Sequence, residues 1–195
     1  MKLEKIVEIL TKQNKTISTM ESCTGGGLAN AITNIPGASE ILKFSAVTYS
    51  NEFKIKMGVP KETIDEYSVY SMATAIEMSK KISQFTNSNY AIGITGKLNR
   101  VDVHNLSGDD NIVYFSIYNK DKDINYNDFL KVTKTSRKEN KEEVIEKIVD
   151  NFYEILKKSY DADIRQRTTN KGTHKDDFEL YIDGINVRNF GSQGQ

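Results

Sequence analysis

The chain has 195 residues, 37% of them apolar and 28% charged, with 27 Lys+Arg balanced by 27 Asp+Glu. That composition suits a single soluble globular domain and argues against a disordered chain. A formal net charge of zero supplies no long-range field for gathering nucleic acid, although a small anionic ligand needs only a few local donors.

Leu3, Ile6, Val7 and Leu10 recur at helical spacing and predict an amphipathic helix over 3–14. Thr16–Met20 is short and β-rich, and runs directly into Glu21-Ser22-Cys23-Thr24-Gly25-Gly26-Gly27. Leu28, Ala29, Ala31 and Ile32 then predict a helix that stops before Pro36-Gly37. Strand, tight turn and helix together open an α/β unit. Phe44–Tyr49 reads as the next strand, followed by a short helix from Asn51 to Met57, and Pro60 marks another helix start. A longer helix is expected over Ser71–Phe85, with Ala75, Met78, Ile82 and Phe85 on its inner side.

Tyr90–Thr95 reads as a buried strand ending at Gly96, and Lys97–Asp110 as a polar loop. Two strands, Asn111–Tyr118 and roughly Asn127–Thr135, flank the charged turn Asn119–Asp123. Ser136 with Glu139 three residues on has the pattern of a capping box. The helix it opens should run to about Tyr160, with Val144, Ile148, Phe152 and Ile155 facing inward. The predicted architecture is α/β: one domain, residues 1–160, with a mixed central sheet flanked by helices, and a C-terminal extension, residues 161–195. In that extension, Asp183-Gly184 lies between Phe178–Ile182 and Ile185–Val187, which is a hairpin signal. A frayed polar tail is the alternative.

Secretory leaders carry an uninterrupted apolar core, which Met1–Asn14 lacks, and no stretch reaches the length of a membrane span. A cytoplasmic location is therefore expected. The one cysteine, Cys23, precludes an intramolecular disulfide. With two histidines and no Cys–His cluster, neither a structural metal nor a cofactor is expected.

Thr19–Gly27 carries the strongest chemical signal. A hydroxyl, Ser22, stands between a strand and a glycine-led helix start. Backbone N–H groups there can bind an anion or stabilise the oxyanion formed when a nucleophile attacks an amide. Thr24, Gly25 and Gly26 are the candidates for that cradle. Cys23 is the alternative nucleophile, but a lone cysteine in such a crossover is more often a small buried hydrophobe. Tyr49 at a strand end and Lys54 one helical turn further on form a second candidate group. A lysine held in a partly dry pocket can lose its proton and activate a hydroxyl.

Met20–Gly26, Ile35-Pro36-Gly37-Ala38-Ser39, Val47–Glu52 with Lys54, and Met57-Gly58-Val59 occur in an order that resembles the CinA C-terminal domain family. Ser71 with Glu77-Met78, and Ile94-Thr95-Gly96, match it more loosely, and the resemblance spans roughly residues 3–158. Stand-alone members of that family include nicotinamide-nucleotide amidohydrolases. The resemblance implies hydrolysis of the carboxamide of nicotinamide mononucleotide to nicotinate mononucleotide and ammonia, without a metal. It places the family's catalytic Ser, Tyr and Lys on Ser22, Tyr49 and Lys54, its strand-end threonine on Thr95, and its arginine on Arg137.

The departures lie on the opposite wall. A glycine-rich loop is expected after Gly96, where this chain has Lys97–His104, and Thr135-Ser136-Arg137 keeps only the arginine of a Gly-Asp-Arg pattern. Arg100, His104 and Arg137 are candidates for gripping a phosphate there, against the alternative of ordinary exposed charges. The leading expectation is an amidohydrolase acting on a small nucleotide substrate, homo-oligomeric, with neither nucleic acid nor membrane as partner. The rivals are a catalytically impaired relative that binds a nucleotide-like ligand or serves as an interaction module, and an enzyme using the same apparatus on another amide.

Overall fold

A computed structural model describes residues 1–99, 103–173, 181–182 and 185–186. The chain divides into two compact units, Met1–Leu156 and Lys157–Gln195. In chain order the elements are α1 (Lys2–Lys12), β1 (Ile17–Glu21), α2 (Gly27–Thr33), α3 (Ala38–Ile41), β2 (Leu42–Val47), α4 (Asn51–Lys56) and α5 (Lys61–Tyr67). There follow α6 (Met72–Thr86), β3 (Tyr90–Gly96), β4 (Ile112–Asn119), β5 (Ile124–Lys131), α7 (Arg137–Thr173), β6 (Tyr181–Ile182) and β7 (Ile185–Asn186).

The first unit is built on a five-stranded sheet of order β2-β1-β3-β4-β5. β2, β1 and β3 run parallel, whereas β4 is antiparallel to β3 and β5 to β4. The sheet is thus mixed and its faces are covered by helices, as the alternation of elements predicts. β1 and β3 are buried along their whole length, which suits central strands of a parallel sheet covered on both faces. Their alternate side chains feed two cores. Ile17, Tyr90, Ile92 and Ile94 join Leu10, Leu28, Ile148 and Phe152 on one face. Met20 and Ala91 join Met78, Ile82 and Val59 on the other. At Gly93 the α6 backbone rides directly on the strand, because an added Cβ would stand 2.3 Å from the Ala75 carbonyl oxygen and 2.6 Å from the Ser79 nitrogen.

Several boundaries differ from the expectation. The second antiparallel strand is Ile124–Lys131 rather than 127–135. The register pairs Asn119 with Ile124, so the charged turn needs only residues 120–123, with Asp123 at φ +51°. Phe85 is 67% exposed rather than buried, and its ring centroid lies 5.5 Å from that of Phe44. On α7, Val144, Ile148 and Phe152 are buried as expected, but Leu156 continues that row while Ile155 is only partly buried. α3 has no counterpart in the sequence reading.

α7 continues past Tyr160 to Thr173, where a polar tail was expected. No Gly or Pro interrupts the chain between Ser136 and Lys171, so nothing stops the helix although an apolar face is lacking. In the second unit β6 and β7 pair antiparallel, Tyr181 with Asn186 and Ile182 with Ile185. This is the register an Asp-Gly hairpin requires; the flanking residues, and positions 183 and 184 themselves, lie outside the described residues.

Candidate functional site

The site gathers beyond the carboxyl ends of the parallel strands, where open α/β sheets place their ligands. β1 hands the chain to Ser22, whose N–H donates to the Ile94 carbonyl at 3.1 Å and so prolongs the ladder by one residue. Beside it, Thr48 N–H donates to the Glu21 carbonyl at 2.8 Å. Strand pairing therefore fixes Ser22 and Thr48 to within one step of each other. The chain then turns tightly, with Gly25 N–H donating to Ser22 O and Gly27 N–H to Thr24 O. Gly25 and Gly26 adopt φ +64° and +88°, which only glycine takes readily.

Ser50 caps α4 by accepting from Phe53 N–H at 3.3 Å. That short helix directs Lys54 back over the strand ends. Lys54 is 1% exposed, and its Nζ donates to Ser22 Oγ at 3.0 Å and to the Thr48 carbonyl at 2.7 Å. Burial lowers its pKa to about 8, outweighing the attraction of Cys23. A neutral lysine can accept the Ser22 proton through the same contact. Cys23 is 3% exposed within the core, and burial pushes its thiol up to about 12 against the pull of Arg137 and Lys54. Such a thiol holds almost no thiolate at neutral pH, which supports the reading of Cys23 as a packing residue.

A cleft of about 620 Å³ opens in front of this pair, and Ser22, Tyr49, Lys54, His104 and Arg137 all line it. The three candidate catalytic residues therefore share one cavity with two of the three candidate phosphate ligands. Arg100 lies outside the described residues. Arg137 Nη1 donates to the Leu98 carbonyl and Nη2 to the Tyr49 hydroxyl at 3.2 Å.

Thr24, Gly25, Gly26 and Thr95 are not among the lining residues. Thr95 is buried and donates to the Val69 carbonyl at 2.8 Å, so it fixes a lining residue from behind. The opening of α2, just past the expected Thr24–Gly26 cradle, is filled from within. Glu21, fully buried, accepts from Thr24 Oγ1 at 2.6 Å, from Leu28 N–H at 3.2 Å and from Ala29 N–H at 2.8 Å. An internal carboxylate thus serves the first amides of the helix, where the dipole favours negative charge. The sequence signal for it was an acidic residue immediately before a glycine-led helix.

The family model of the CinA C-terminal domain matches residues 2–160. The chain belongs to that family. A CinA-like protein of Endomicrobium trichonymphae is 46% identical over 89 residues, 45% of this chain and 21% of that protein. A CinA-like protein of Fervidobacterium nodosum is 42% identical over 92 residues, 47% of this chain and 22% of that protein. The chain thus spans less than a quarter of the length of the curated relatives it matches. Among solved structures, a CinA superfamily protein of Klebsiella pneumoniae superposes with TM-score 0.72 at 22% identity, over 80% of this chain and 95% of that one. At that identity the likeness speaks for the fold alone.

Within this CinA domain the described residues after Gly96, 97–99 and 103–110, are held largely by polar contacts. Lys97 is 4% exposed, and its Nζ donates to the Gly108 carbonyl at 3.0 Å and the Leu106 carbonyl at 3.4 Å and pairs with Asp110 at 3.3 Å. It also lies 5.2 Å from the Tyr70 ring centroid. Asn51 Nδ2 donates to Asn105 Oδ1 at 2.8 Å and Ser107 Oγ to Ser68 Oγ at 3.0 Å. Leu98, buried in the main core, anchors the segment at its start, and these polar contacts hold the rest. Nothing in a Lys within a charged loop marked it as buried, so Lys97, Tyr70, Asn51 and Asn105 were missed as cleft residues. No group of three or more His, Cys, Asp or Glu able to hold a metal occurs among the described residues. No helix among them is long and apolar enough to cross a membrane.

Proposed function

We propose that this protein is an amidohydrolase that deamidates nicotinamide mononucleotide through an acyl intermediate on Ser22. The observation that carries the reading is the buried Lys54 amine 3.0 Å from the Ser22 hydroxyl, with its pKa lowered to about 8. Neutral Lys54 takes the Ser22 proton as Oγ attacks the carboxamide carbon, and the π electrons move onto the oxygen. Collapse of that oxyanion breaks the C–N bond, and the protonated Lys54 delivers its proton to the departing ammonia. Water then attacks the acyl ester by the same route in reverse, with Lys54 again as base, releasing the carboxylate and restoring Ser22.

Every electron pair and proton in this cycle is supplied by Ser22, Lys54, the amide and water. His104, which lines the cleft, serves the substrate's anionic end, and the cytoplasmic location and homo-oligomeric state belong to the same proposal. Purified protein given nicotinamide mononucleotide should release ammonia stoichiometrically with nicotinate mononucleotide, and Ser22→Ala should abolish both. Turnover retained by Ser22→Ala would end the reading.

A further inference from the structure

An acyl-transfer site needs donors aimed at the oxygen where charge develops. In this chain several of the backbone amides around the nucleophile are committed elsewhere. The amide of Ser22 itself donates to Ile94, and those of Gly25 and Gly27 close the turn. Those of Leu28 and Ala29 are held by the buried Glu21 carboxylate. The nucleophile's own N–H and the opening of α2 are therefore not available to the substrate.

On the cleft wall there is another donor. The Tyr49 hydroxyl accepts from Arg137 Nη2 at 3.2 Å, while Nη1 of the same guanidinium is tied to the Leu98 carbonyl. A phenol oxygen that accepts from a cation leaves its own proton to donate elsewhere, and the cation strengthens that donation. Tyr49, Arg137 and Ser22 line one cavity, and the charge of Arg137 is felt at Cys23, the residue after the nucleophile.

We propose that the oxyanion formed on Ser22 attack is stabilised by the Tyr49 O–H, polarised by Arg137, rather than by the backbone amides that open α2. The inference rests on the acyl-transfer reading above. Tyr49 keeps its proton throughout: it donates a hydrogen bond as the carbonyl π pair moves onto oxygen, and the bond relaxes when that pair returns and the C–N bond breaks. Tyr49 is the catalytic residue in this step and Arg137 a positioning residue that acts through it. Both are exposed in the free protein, so substitutions there leave the core intact.

The test uses the full chain as wild type, Tyr49→Phe, Arg137→Met and the double variant, with two reactions. One is ammonia release from nicotinamide mononucleotide; the other is covalent labelling of Ser22 by a fluorophosphonate, which develops charge on a comparable oxygen. Tyr49→Phe should lower kcat and the labelling rate about 100-fold, with KM changed less than about threefold. Arg137→Met should lower both rates about tenfold. The double variant should be no slower than Tyr49→Phe, because the arginine acts only through the phenol. Losses in the double variant equal to the product of the single losses would overturn the assignment. So would near-wild-type rates in Tyr49→Phe, which would hand the oxyanion to the Cys23 and Thr24 amides. If Ser22 is labelled but nicotinamide mononucleotide is not turned over, the substrate is wrong and the labelling rates still decide the oxyanion donor. If wild type does neither, the acyl-transfer reading falls and the inference with it.

Discussion

Replacing Lys54 by Met separates what this side chain does for stability from what it does for chemistry. The charged amine is 1% exposed and its pKa falls from 10.5 to about 8 through burial. At about 1.4 kcal/mol per tenfold, holding that charge in the fold at pH 7 costs about 3 kcal/mol. Methionine of similar length removes this cost but leaves the buried Thr48 carbonyl without the donor at 2.7 Å, which costs about 1–3 kcal/mol. The two nearly cancel, so Lys54→Met should melt at the wild-type temperature or a few degrees above it at pH 7. The sign with pH follows from linkage. Because the folded pKa lies below the unfolded one, the unfolded chain holds the extra proton between about 8 and 10.5. Wild-type stability therefore gains from Lys54 as pH rises through that window. Any advantage of the variant should shrink over the same interval. Its kcat should fall at least about 100-fold, as expected for loss of a general base. In the wild type, kcat/KM should rise about tenfold per pH unit below pH 8 and level off above it. Calorimetry and ammonia release measure both halves. A variant that loses more than about 2 kcal/mol yet retains turnover would refute the assignment.

Cys23→Ala should keep most of the wild-type turnover, and iodoacetamide at pH 8 should leave the folded protein unmodified. A thiol pushed up to about 12 is ionised in only about one molecule in ten thousand there; rapid labelling would reassign the chemistry. Glu21→Gln should destabilise the fold by about 2 kcal/mol, because a buried amide has only one oxygen where the carboxylate serves Thr24, Leu28 and Ala29 with two. Chemical denaturation measures it, and a wild-type midpoint would remove Glu21 as the internal cap. Gly93→Ala should cost about 3 kcal/mol, since its methyl would meet α6 backbone at 2.3 Å. A wild-type Tm would show that the helix can lift off the strand freely.

The sheet was legible where the pattern was strong on both sides of an element. β3 is centred on a run of small and branched residues, Ala91–Thr95, and its burial on both faces leaves no charged position to blur the signal. The expectation for β5 falls three residues late at its start and four at its end, because β5 is an edge strand with a half-exposed pattern. Its position follows from register with β4, a long-range fact that no local window contains. The length of α7 was underestimated for the opposite reason. Past Tyr160 the helix carries no apolar stripe and gives no periodicity to count, and only the absence of Gly and Pro as far as Lys171 shows that it continues.

At the site, the sequence motif located the residues but not the direction in which each one works. Ser22, Tyr49 and Lys54 lie within a stretch of 33 positions, and short connections between parallel strands and their helices bring them into one cleft. Arg137 comes from a distant helix, yet its family pattern was enough to place it there. The glycine-led turn is different, because the same residues fit an anion cradle facing out or a cap facing in. What decides between these is Glu21, the last residue of β1. Side chains alternate along a strand, so Glu21 shares a face with Ile17 and Thr19, and that face is buried beneath α2. A carboxylate buried there has to find donors, and the nearest are the N–H groups that open the helix. Burial of one acid thus closes the opening of α2 from within, and under the proposal above the charge that forms on the substrate is met from the cleft's other wall.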